Sequence, residues 1–144
     1  MVEIRAAFEQ GGTVTAGNAS ERTEWRRLVQ PGGFYVCERG YTDYSLFQEL
    51  HDLPCSFLCR VQDHAAYEVQ EERPVAAAAQ AAGVVRDAVL RRLGTTHHVR
   101  LLPQPFRVVT ITTGKLQSNG TPEVMVLVTN RLDVDADLVA LAYR

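Results

Sequence analysis

Short apolar runs of β character alternate with segments whose apolar residues recur every three or four positions, and this alternation organises the chain. Ser20 to Val29 reads as a helix: Trp25, Leu28 and Val29 form one stripe, Asn18 or Ser20 can cap its first turn, and Pro31-Gly32-Gly33 stops it. Phe34-Tyr35-Val36-Cys37 is rich in aromatic and β-branched residues and reads as a short buried strand. A second helix follows, with Thr42 as N-cap, Leu46, Phe47 and Leu50 at helical spacing, and Pro54 at its close. Ser56 to Val61 makes another strand. Strand, helix and strand in this order predict a parallel or mixed sheet.

Beyond Gln62 the rhythm changes. Ala66 to Gln70, Val99 to Leu102 and Phe106 to Thr112 read as strands joined by Gly, Pro, Thr and His, and Ala76 to Ala82 reads as a turn or two of helix. Val84 to Leu93 fits either a strand or a helix. Val124 to Val128 then restores the pattern of a buried strand. Asp133 or Asp135 caps a last helix carrying Leu138, Val139, Leu141 and Ala142, which runs out at Tyr143-Arg144 with no stop signal. The expectation is an α/β chain in three stretches: a core over 1–61, a β-rich insertion over 62–122, and a return to the core over 123–144.

Composition narrows the classes. The 144 residues are 46% hydrophobic and 22% charged, which suits a folded domain and excludes bulk disorder. A formal net charge of −2 gives no global attraction to nucleic acid, so any DNA contact must come from local arginines. Lys115 is the sole lysine; the Arg bias favours bidentate phosphate contacts but also follows from genome composition. The longest apolar runs, such as Val124 to Val128, are too short to cross a bilayer. The three cysteines, Cys37, Cys55 and Cys59, form no disulfide framework, and a cytoplasmic protein is expected.

Four segments in order carry a resemblance: Val14-Thr15-Ala16-Gly17-Asn18-Ala19-Ser20-Glu21, Tyr35-Val36-Cys37-Glu38-Arg39-Gly40-Tyr41, Ser56-Phe57-Leu58-Cys59-Arg60-Val61, and Val128-Thr129-Asn130-Arg131 through Asp133 and Asp137 to Leu141-Ala142-Tyr143-Arg144. In this arrangement the chain resembles the DDE-type transposases of the family named after insertion sequence four. The resemblance implies a ribonuclease H-like mixed sheet interrupted by a β-rich insertion, and incomplete here at both ends. It implies transposon-end DNA as partner, leaves room for a homo-oligomer, and places a DNA-bound protein at the nucleoid.

The implied chemistry is DNA cleavage and strand transfer with Mg²⁺ or Mn²⁺, for which three carboxylates must converge on two divalent cations. The family's second catalytic Asp falls at Glu38, the one catalytic and metal-ligating candidate; its Asp-Arg-Gly-Tyr is here Glu38-Arg39-Gly40-Tyr41. Tyr143 matches the Tyr that opens the family's last helical signature. The first Asp and the final Glu have no counterpart in the sequence, so the expectation is a chain inactive by itself. Arg39, Arg60, Arg131 and Tyr143 are the candidate DNA contacts. The alternative is a non-catalytic DNA- or protein-binding module of transposase descent. Cys55 and Cys59 with His51 or His64 lack a recognised zinc spacing and read as packed thiols.

Overall fold

A computed structural model describes residues 2–6, 13–16, 29–37, 45–61, 65–95 and 97–143. The expected helix from Ser20 and the Thr42 cap lie outside the described residues, as do Glu38 and Arg39. The elements are β1 (Val2–Ala6), β2 (Thr13–Ala16), β3 (Phe34–Cys37), α1 (Ser45–Asp52), β4 (Ser56–Arg60), β5 (Ala65–Arg73), α2 (Ala77–Ala81), β6 (Val84–Thr95), β7 (His98–Leu116), β8 (Pro122–Thr129) and α3 (Ala136–Tyr143).

The strands from β3 onward form a mixed six-stranded sheet in the order β3-β4-β8-β7-β6-β5, and β1 and β2 extend it beyond β3. β3 and β4 are parallel, with Phe34 opposite Ser56 and Cys37 opposite Cys59; α1 makes the crossover between them, as the strand–helix–strand pattern predicts. Every other pairing is antiparallel. The 62–122 stretch supplies β5, β6 and β7, laid side by side with β8 in the same sheet.

Alternation along the strands builds two cores. Tyr35, Phe57, Val128 and Val108 face α1, where Leu46, Phe47 and Leu50 meet them. Their sequence neighbours Val36, Leu58, Leu127 and Val109 face the other way, against Ala79 of α2 and Ala136, Val139, Ala140 and Tyr143 of α3. On the α1 side the Phe47 ring stacks on Phe57 at 4.7 Å, and Phe106 meets Phe57 edge-on at 5.2 Å. A central strand buried on both faces explains why Phe57-Leu58-Cys59 is an unbroken apolar run.

Two sequence ambiguities resolve here. Val84 to Leu93 is strand, because β5 and β7 bond to its two sides and supply partners that a helix would not need. The two runs 99–102 and 106–112 are one long strand. Its register against β6 slips between Leu90–Phe106 and Arg92–Leu101, and Pro103 and Pro105, which have no N–H to give a ladder, fall in the slip. Among the described residues no helix is long and apolar enough to cross a membrane.

Candidate functional site

The structure separates the arginines that the sequence suggested together. Arg60 ends β4, beside the end of β3. Arg131 follows β8, which runs antiparallel to β4 with Thr129 opposite Leu58, and its Nη1 lies 3.5 Å from Ser56 Oγ at the start of β4. At roughly 3.3 Å per residue, Arg60 and Arg131 are about 13 Å apart along the strand. They do not share one site. Tyr143 lies buried in the core under α3.

Arg131 is also engaged. Its Nε and Nη2 each donate to the Asp133 carboxylate at 3.0 Å, and this guanidinium holds the Asp133 carboxyl below its ordinary range. Most other arginines at described positions are equally committed. Arg86 pairs with Glu72, Arg91 and Arg92 with Glu68, and Arg73 donates to the Leu132 carbonyl at 2.7 Å. Arg60 and Arg100 have no side-chain partner among the described residues, and Arg60 Nε is buried.

Two polar anchors fix the segment between β8 and α3. Asn130 accepts the Phe57 N–H at 3.0 Å, donates to the Cys55 carbonyl at 2.8 Å, and sits 3.1 Å from His51 Nδ1. The Thr129 hydroxyl donates to the Phe57 carbonyl at 2.6 Å. Arg107 is the second anchor. It is 2% exposed, forks onto the buried Asp87 carboxylate with two bonds of 2.8 Å, and donates to the Arg131 and Val134 carbonyls. An arginine in the middle of an apolar strand is thus a peg that seats the turn into α3.

Two cavities open on the surface, each of about 480 Å³. One lies beside α3, where Phe34, Leu58, Val134, Leu138 and Leu141 form apolar walls and Arg131 stands among the lining. Leu138 and Leu141 are 50% and 69% exposed there. The last helix therefore buries Ala136, Val139, Ala140 and Tyr143 and presents Leu138 and Leu141 outward. The other cavity lies between the first turn of α1 and the β6–β7 hairpin, with Ser45, Gln48, Thr95, His98 and Arg100 as its polar lining.

Among the described residues no group of three His, Cys, Asp or Glu side chains gathers around a common point. Glu38, the implied Mg²⁺ or Mn²⁺ ligand, lies outside them, as does His64 of the zinc alternative. Cys55 and Cys59 are buried free thiols, Cys55 donating to the Gln30 carbonyl at 3.1 Å. That Arg107 meets Asp87, and that the hairpin encloses a cavity, both depend on the register of β6 against β7, which local pattern does not specify. Comparison with known protein families, with characterised proteins and with solved structures finds no match to this chain.

Proposed function

We propose that the chain carries the ribonuclease H-like sheet of a DDE-type transposase, and that this portion holds DNA without cutting it. One observation carries the reading. Three of the segments that resemble the transposase family, at Tyr35–Cys37, Ser56–Arg60 and Val128–Thr129, are the adjacent strands β3, β4 and β8. Sequence separations of about 20 and 70 residues close into neighbouring positions, with a parallel strand–helix–strand unit at the centre. The fourth segment ends in α3, seated on the same sheet through Arg107 and Asn130.

Two-metal phosphoryl transfer needs three converging carboxylates, and Glu38 is the one candidate this sequence offers. DNA contact needs positive charge instead, and Arg60, which has no side-chain partner among the described residues, lies where the β3–β4 pair terminates. Fluorescence anisotropy of a labelled duplex across a salt series tests this. Affinity should fall linearly on logarithmic axes, and Arg60→Gln should reduce the slope by about one. A salt-independent signal, or no binding at low salt, overturns it.

A second reading is favoured by the apolar walls beside α3. A helix that presents leucines on its outer side fits a protein-binding module of the same descent. In that case the duplex experiment gives no binding while the α3 face remains the active surface.

A further inference from the structure

We propose that the cavity between α1 and the β6–β7 hairpin binds a nucleotide unit through its phosphate, with Arg100 as the counter-charge. The proposal stands apart from the transposase reading, since the nucleotide can be free or part of a strand.

Charge selects this cavity. Arg86 and Arg131 each pair with a carboxylate of their own, and Arg91 and Arg92 both bond to that of Glu68. Arg100 has no ion pair or side-chain hydrogen bond among the described residues, and none of the described residues that line the cavity is an Asp or Glu. A cation with no acid beside it, set in a concave site, is an arrangement that attracts an anion.

Donor number favours a phosphate. Arg100, His98 and the Thr95 hydroxyl share the lining, so three separate donor groups are available. A phosphate offers three acceptor oxygens to them, whereas a carboxylate offers two. Guanidinium geometry also matches phosphate bidentately. Shape favours an organic phosphate over the bare ion. Leu93, Leu101, Leu102 and Pro103 form an apolar wall beside the cation, with Leu101 63% exposed. About 480 Å³ lies within the ordinary range for small-ligand sites, and a flat base can lie against such a wall while its phosphate meets Arg100.

The backbone here is tightly set. The chain comes so close at the hairpin that a Cβ on Gly94 would lie 1.9 Å from the His98 carbonyl oxygen. Thr95 and His98 pair across β6 and β7 and so lie side by side.

The test is a titration of the isotope-labelled full chain at low salt, followed through its backbone amide resonances. The probes are inorganic phosphate, thymidine 5′-monophosphate and an oligothymidylate of eight residues. The expected result is perturbation of Gly94, Thr95, Leu101 and Leu102 by the nucleotide, with weaker binding of inorganic phosphate. Arg100→Gln should weaken the nucleotide at least about tenfold, as loss of a charge-assisted contact implies. Arg86→Gln, which removes a charge already paired with Glu72, should leave it within about twofold. Equal response to the monophosphate and the oligomer assigns the site to the shared phosphate, and response to one alone assigns the source; either outcome supports the proposal if Arg100 governs it. No perturbation at these amides, equal affinity for inorganic phosphate and nucleotide, or equal loss in both variants overturns it. Arg100 is exposed, so Arg100→Gln should retain the native amide spectrum.

Discussion

Arg107 shows what a single side chain contributes here. With Asp87 it forms a pair almost wholly removed from water, and its remaining donors seat the Arg131 and Val134 carbonyls at the entry to α3. Removing one partner leaves the other charge buried and uncompensated, whereas replacing both with apolar residues removes the problem. Arg107→Met should therefore lower stability by about 3–5 kcal/mol, and Arg107→Met with Asp87→Leu should recover much of that loss, as read by thermal unfolding. A single variant within about 1 kcal/mol of the parent contradicts this. Gly94 is a second such position. Gly94→Ala forces a methyl onto the His98 carbonyl, and should cost about 1–3 kcal/mol in the same measurement; an unchanged melting point sinks that account. Both effects leave faint traces in the sequence. Arg107 interrupts the run Phe106 to Ile111, and Asp87 interrupts Val84 to Leu90, but only the register of two long strands shows that they meet.

At the level of elements, periodicity gave the strands well and the helix faces less well. In β3, β4 and β8 the pairs Tyr35 and Val36, Phe57 and Leu58, and Leu127 and Val128 are buried on opposite faces, which suits strands covered on both sides. Leu46, Phe47 and Leu50 face the core from α1 as their spacing predicts. β6 was ambiguous because apolar residues that recur at helical spacing also fit a strand buried on both faces. Pro103 and Pro105 concealed the continuity of β7, since proline ordinarily ends a strand and here occupies a register slip. In α3 the small residues Ala136 and Ala140 pack inward, where the sheet lies close, and the leucines turn out. Those leucines should contribute little to folding. Replacing both, Leu138→Gln with Leu141→Gln, should change stability by less than about 1 kcal/mol and reduce binding of an apolar fluorescent dye. A loss above about 2 kcal/mol would mean that they pack within the molecule after all.

For the whole molecule, the mixed sheet was legible from the order of strand, helix and strand, while the alignment of 62–122 with the core strands in one sheet was not. Local pattern says which segments are strands; it does not say which edges meet. The candidate site was less legible still. Arg60 and Arg131, grouped by their place at strand ends, stand at opposite ends of β4, because β8 runs antiparallel to it. Among the described residues, Arg60 and Arg100 have no side-chain partner and no set of carboxylates is gathered. On the proposed function, the chain holds DNA electrostatically and leaves its backbone intact. The most direct test is to incubate the chain with supercoiled plasmid at low salt, with and without Mg²⁺, and to resolve the products on an agarose gel. The account predicts retarded plasmid that remains supercoiled, equally in both conditions, and that is released by added salt. Mg²⁺-dependent conversion to nicked circles, or no retardation at any protein concentration, would contradict it.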